Sequence, residues 1–497
     1  MSPQALAAVA TLLSFAAHGD RIDFTLDRGS AELQWYSDST FRFRRTLEGP
    51  LAALSLPEKQ PVAIQIDDTP GVLRIRSESI EVAVQKHGLL VAVFRSNGKP
   101  LLKDLTEPAA SEQGVAWERE SPAGERFYGL GPRPDPQFDL NGKAVSAAIP
   151  FLISTAGYGE FHPGTGPWRF DFTAAGRYRI EAPRVDYFFY FGPPPKEIFR
   201  EHTRAGQVFP PWQYAAATAS WTGLREALLS MVQGAISGAI YPSFDLAPFA
   251  GSEPALLLRA RQIGSLVPRV TPGAVGLSDF RQQLESFFTV YGPEADYHGH
   301  PTWHPLPFQF PADPECARHA DEFMLGDEML VAPIADASGK RPVYLPQGIW
   351  TNLETNQAIP GRTTIAVETQ SLPVFARNGA IVPLDGPAGM ALHYFPKLGA
   401  EFFLLEQDIG EYSQVHAAPA ADIVRLEIES KKDRRYQWVV HHVDRPSTVS
   451  FEERVYRPAD SLAALADGMW FYDALNRNLH IRVSVKAGED NIVNLGF

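Results

Sequence analysis

From residue 21 to about residue 105, apolar and polar positions alternate in short runs such as Arg21-Ile22-Asp23-Phe24-Thr25-Leu26 and Ser79-Ile80-Glu81-Val82-Ala83-Val84. A period of two, broken by Asp-Asp, Pro-Gly and Asn-Gly turns, predicts antiparallel sheet with one face in water and hence a β-sandwich. More strands are expected at 149–153, 159–161, 168–172, 178–180 and 185–191. Pro193-Pro194-Pro195 then opens a helix over 196–204, because proline suits a first turn where no N–H is needed.

Pro210-Pro211 marks a boundary, and beyond it the period changes. Residues 222–233, 253–264 and 278–291 read as amphipathic helices, separated by strand-like runs at 213–218, 235–241 and 302–310. Such alternation signals βα units on a parallel sheet. After Pro311 strands return, at 329–334, 342–345, 364–368 and 372–375, and a second group runs from 402 to the C-terminus with strands at 425–428, 436–441 and 479–485. The expected fold is therefore mixed β and α/β, with no repeat of fixed period.

Composition narrows the function. With 45 Lys+Arg against 58 Asp+Glu the net charge is −13, which argues against nucleic-acid or anionic-membrane partners, since excess Lys and Arg hold both. The 497 residues are a soft prior for about three or four domains. Cys316 is the single cysteine, so no intrachain disulfide forms and burial must hold the fold. No apolar run reaches the roughly 18 residues of a membrane span. Residues 5–17 are apolar enough for a signal-peptide core, with Ser14-Phe15-Ala16 as a cleavage site, which would imply a periplasmic or secreted protein. No Lys or Arg precedes them, so the favoured expectation is a first strand starting at 11–15 and a cytoplasmic location.

Several longer segments carry a resemblance. They are Phe127-Tyr128-Gly129-Leu130-Gly131; Ile149-Pro150-Phe151-Leu152-Ile153-Ser154 with Gly157-Tyr158-Gly159; Asp186-Tyr187-Phe188-Phe189-Tyr190-Phe191-Gly192-Pro193; and Phe310-Pro311-Ala312-Asp313. Phe323-Met324-Leu325-Gly326-Asp327-Glu328-Met329-Leu330-Val331-Ala332-Pro333-Ile334 and Pro373-Val374-Phe375-Ala376-Arg377-Asn378-Gly379 continue the series. In this order they resemble glycoside hydrolase family 31, the α-glucosidase and α-xylosidase family, over nearly the whole chain. The resemblance implies a galactose-mutarotase-like N-terminal β-sandwich at 1–211, a (β/α) barrel segment at 212–311, a proximal C-terminal β domain at 312–390 and a distal one at 391–497.

The barrel segment departs from the family. A (β/α)8 barrel takes at least about 200 residues, whereas residues 212–310 number 99, room for three βα units. A retaining glycosidase needs two carboxyls about 5 to 5.5 Å apart. The family's nucleophile segment, of Trp-x-Asp-Met-Asn/Ser-Glu type, has no match here, nor has the Arg-Ser-Gly stretch that carries its acid/base. Ala215-Ala216-Ala217 stands where the family places polar contacts, and Thr271 where it places a histidine. What the resemblance leaves as substrate-binding candidates are Asp245, the flanking Phe244 and Phe249, Arg269 and Trp212.

Asp245 at the C-terminal end of a barrel-type strand suits a hydrogen bond to a sugar hydroxyl, and equally a turn or cap. Glu226, Glu253, Asp279 and Glu285 lie on or beside expected helices, where solvated surface charge is the ordinary role, and Glu294 and Asp296 complete the carboxylates of the segment. His298 and His300, i and i+2 on an expected strand, with His304 as a third nitrogen, present a weak zinc pattern beside the simpler reading of a polar loop. Trp212, Trp221 and Trp303 are expected in core sooner than on a carbohydrate surface.

The favoured expectation is a family 31 relative that binds carbohydrate without hydrolysing it, with no cofactor and no metal. The alternatives are an active α-glycosidase using Asp245 with Glu253, Asp296 or a partner chain's group, and a scaffold that binds no sugar. An open barrel remnant would bare sheet edges, so the sandwich or a second copy of the chain is expected to cover them.

Overall fold

The computed structural model describes residues 9–53, 61–209, 218–271, 276–386, 389–397, 399–406, 411–452 and 454–497. Strands dominate, and the chain divides into two compact units. The first takes residues 1–210, 233–240 and 298–300, and the second takes the remainder.

In the first unit an eight-stranded antiparallel sheet runs in the order Leu12–His18, Arg21–Leu26, Ser30–Ser37, Thr40–Arg45, Val185–Phe191, Tyr158–Phe161, Phe151–Ser154, Phe127–Gly129. Two five-stranded sheets accompany it, one from Gln65–Asp68 to Pro100–Lys103 and one holding Gly114–Glu120 and Arg177–Ala182. Alternation in the sequence becomes alternation in burial: in Arg21–Leu26 the side chains of Ile22, Phe24 and Leu26 enter the core that also holds Trp35, Phe41, Val82 and Trp117. Val185–Phe191 breaks the rule, being buried through Tyr190, because helix Pro195–Arg204 covers its other face with Ile198 and Phe199. Gly159 permits that approach, since a Cβ there would collide with Ile198.

The second unit takes residues 221–232 of helix Trp221–Ala235 and contains a two-stranded parallel sheet, Ser243–Asp245 beside Arg269–Thr271, joined through helix Pro254–Gly264. One expected strand proves to be something else, and a second is a strand over part of its length. The run at 235–241 ends the helix and turns, because a short apolar stretch has no period that separates helix from strand. Within 302–310, Trp303–Pro305 pairs antiparallel with Phe323–Leu325 in a six-stranded sheet, and the prolines start one helical turn, Leu306–Gln309. Helix Glu285–His298 runs past its expected end through Pro293.

That six-stranded sheet, with Met329–Val331, Val374–Arg377 and Ile349–Asn352, encloses Leu306, Met324, Leu330, Trp350 and Phe375. Beyond it two further six-stranded sheets bury Trp438, Ile481, Leu426 and Leu495 between them.

Candidate functional site

The parallel pair fixes the geometry of the α/β segment. Its register is Ser243 with Arg269, Phe244 with Val270 and Asp245 with Thr271. A period of two sends Phe244 to the side away from Ser243 and Asp245. Phe244 and Phe249 are 1% and 0% exposed and pack on each other, ring centres 5.7 Å apart, so both belong to the core beneath the strand.

Asp245 is half-buried, and its Oδ1 accepts the backbone N–H of Ala247 at 2.9 Å. That bond starts the short 3-10 helix Ala247–Phe249, the turn role an aspartate performs well. Arg269 is exposed, and its guanidinium lies 5.3 Å from the ring centre of Tyr241. The Tyr241 hydroxyl donates to Gly292 O at 2.7 Å, and burial followed by the Asp296 carboxylate holds its pKa above the ordinary tyrosine value. Arg269, Tyr241 and Asp296 therefore form one group, drawn from a strand, a loop and a helix. Trp221 Nε1 donates to Glu253 Oε1 at 2.7 Å on the exposed surface.

Glu226, Glu253, Asp279 and Glu285 are exposed, and Glu294 is half-buried. Trp303 is fully buried, stacked on Phe323 at 3.9 Å with its Nε1 donating to Leu266 O at 2.8 Å. Trp212, residues 213–217 of the expected strand, and with them Ala215-Ala216-Ala217, lie outside the described residues, as does the side chain of Thr271.

The three histidines do not share a strand. His298 ends a helix, His300 follows in a loop with Nε2 3.1 Å from Lys196 O, and His304 stands on Trp303–Pro305 with Nδ1 3.3 Å from Asp327 Oδ1. Among the described residues, the one group of three metal-type side chains with mutually close donor atoms is Glu427, Glu429 and Asp490, on two paired strands.

Sequence reading passed over Tyr241, since neither its neighbours in the chain nor its spacing from Asp296 and Arg269 carries a signal. The sharpest chemistry outside this segment is likewise long-range. Arg119, wholly buried, binds Asp104 at 2.9 Å and Glu160, and its guanidinium lies 4.6 Å from the Tyr187 ring centre. These groups interlock the sandwich.

The architecture is a strand-rich N-terminal unit followed by a short α/β segment and C-terminal β-sheets. Residues 30–171 match the glycosyl hydrolase 31 N-terminal galactose mutarotase-like domain, and residues 299–382 match the glycosyl hydrolase family 31 C-terminal domain. The chain belongs to glycoside hydrolase family 31.

An α-glucosidase of Saccharolobus solfataricus is 39% identical over 93 residues, covering 19% of this chain and 13% of that protein. Alpha-glucosidase 2 of Bacillus thermoamyloliquefaciens is 29% identical over 189 residues, covering 33% and 24%, and the isomaltosyltransferase of Sporosarcina globispora is 22% identical over 334 residues, covering 55% and 31%. The matches thus span about a third or less of these relatives' own length. Among solved structures, a mutant GH31 dextranase of Flavobacterium johnsoniae complexed with isomaltotriose superposes with a TM-score of 0.83 at 14% identity, over 99% of this chain and 100% of that one. A cycloalternan-forming enzyme from Listeria monocytogenes in complex with a pentasaccharide substrate gives 0.80 at 14%, over 98% and 77%. At such identities the likeness is one of fold.

Proposed function

We propose that this chain is a carbohydrate-binding member of its family without glycosidase activity, its α/β segment being a cut-down (β/α) barrel. The observation that carries the reading is the missing pair of carboxylate segments. No stretch of the sequence matches the family's nucleophile or acid/base motif, and the carboxylates that remain are otherwise engaged or exposed. Asp245 holds the Ala247 N–H, Glu253 the Trp221 indole, and Asp296 stands beside Tyr241. The parallel sheet has two described strands, and 99 residues fall well short of the roughly 200 a closed barrel needs.

In this reading Asp245 and Arg269 supply hydrogen bonds to sugar hydroxyls, and a second copy of the chain covers the edge of the parallel sheet. The test is incubation with aryl α-glucosides, α-xylosides and α-galactosides, together with calorimetric titration of oligosaccharides. Binding without turnover is expected; enzyme-dependent release of the aryl group overturns the reading. Sedimentation as a monomer with that edge bare refutes the proposed cover by a second copy.

A second reading rests on the Arg269, Tyr241 and Asp296 group, whose Arg269 lies on the strand paired with that of Asp245. It makes Asp245 and Asp296 a working pair, which requires carboxyls within about 5 to 10 Å. Turnover abolished by Asp245→Asn supports it, and unchanged turnover excludes it.

A further inference from the structure

The N-terminal unit contains an open cavity of about 820 Å³ that none of the candidate site residues line. One wall is the hairpin between Ser30–Ser37 and Thr40–Arg45, contributing Tyr36 and Asp38. Facing it is the hairpin between Val72–Arg76 and Ile80–Gln85, contributing Arg76 and Glu78, and residues 61–65 form the third wall. The walls are tied before any ligand arrives. Ser77 Oγ donates to Asp38 O at 2.6 Å, joining the two hairpins, and the Val62 N–H donates to Asp20 Oδ2 at 3.1 Å. The Tyr36 ring packs on Phe188 with centres 5.2 Å apart. A preformed depression of this size, with the Tyr36 ring and aliphatic Val62, Ala63 and Ile64 set among polar side chains, offers a small molecule both apolar surface and hydrogen-bonding groups.

Its charges select the ligand class. Glu81 is shared by Arg74 and Arg76, the latter at 2.5 Å, so the guanidinium in the wall already has a carboxylate partner. Asp38 and Glu78 then leave the lining acidic, which repels phosphates and carboxylates. Among the described residues no three metal-type donors converge here. A neutral polyol suits the remainder: carboxylates accept its hydroxyls while Tyr36, Val62 and Ile64 receive its C–H faces.

We propose that this cavity is a saccharide site in its own right, taking a short neutral oligosaccharide on the N-terminal sandwich. It stands on the cavity's lining and does not depend on Asp245 or Arg269.

The test is titration of the full chain with maltotriose, isomaltotriose and the diamine putrescine, followed by calorimetry. Two variants probe the cavity without touching the core: Ala63→Trp, which fills it from an exposed position of its wall, and Glu78→Gln combined with Gln65→Ala. Saturable trisaccharide binding weakened at least tenfold by either variant, and retained in Asp245→Asn, is the expected result. Binding of neither trisaccharide, binding indifferent to both variants, or binding of putrescine alone overturns the proposal. Trisaccharide binding lost only in Asp245→Asn also overturns it, while supporting the reading of the α/β segment.

Discussion

His393 Nδ1 stands 3.0 Å from His441 Nε2, although 48 residues separate them. The surrounding hydrogen bonds assign the protons. Asn356 donates through Nδ2 to Asn476 O at 2.7 Å, so its Oδ1, 2.9 Å from His441 Nδ1, accepts a proton carried there. His441 Nε2 is then the acceptor and His393 Nδ1 the donor, and both rings are neutral.

This relay predicts a loss of stability in acid. Burial, with His480 nearby, lowers His393 to about 4, and burial with three neighbouring histidines lowers His441 well below its ordinary value. A histidine that resists protonation when folded stabilises the fold above its unfolded value of about 6.5, and that stability drains away as pH falls from there through about 4. Urea unfolding followed from pH 7 to pH 4 should show a decline on the order of 2 kcal/mol that flattens in His393→Asn. An unchanged pH slope in that variant contradicts the relay.

Glu328 works in the opposite direction. Burial, then the Asp327 charge, pushes its carboxyl up to about 8, and the Tyr291 hydroxyl lies 2.7 Å from Oε2. An acid held protonated by the fold gives full stability below its unfolded pKa and loses it as pH rises from about 4.5 through about 8. Tyr291→Phe removes the hydroxyl and leaves the buried carboxyl short of a partner, at an expected cost of about 1–3 kcal/mol in thermal or urea unfolding at pH 7.

The buried ions of the sandwich are costly to separate. Glu160→Gln leaves Arg119 with Asp104 as its one carboxylate partner in the core, and an expected loss of about 3–5 kcal/mol should appear as a lower urea midpoint. A midpoint within experimental error of the parent would show that the pair contributes nothing.

Asp245→Ala separates a turn aspartate from a ligand contact. Loss of the bond to the Ala247 N–H should cost about 0.5–2 kcal/mol in unfolding. If Asp245 also holds sugar, oligosaccharide affinity measured on folded protein falls as well; unchanged affinity assigns it to structure alone.

Much of the fold was legible because strands with one wet face write their burial into the sequence, as Arg21–Leu26 does with Ile22, Phe24 and Leu26. Val185–Phe191 lacks that signature, since a helix hides its second face, and its aromatic motif located it instead. At the candidate site, Asp245 was visible from its place at a strand end. Tyr241 and Asp296 were not a visible pair, because 55 positions of chain separate them and no period links them.

The sequence by itself determined the succession of β, α/β and β segments, the family, and the expectation that two catalytic carboxylate motifs are lacking. All three are local properties, carried by hydrophobic period and by residues adjacent in the chain. Tertiary structure alone decided that Trp303–Pro305 joins the antiparallel sheet, that Arg269 meets Tyr241, that His393 meets His441, and that two hairpins enclose a cavity. Those outcomes depend on which distant surfaces exclude water together, a competition that no single stretch of sequence records.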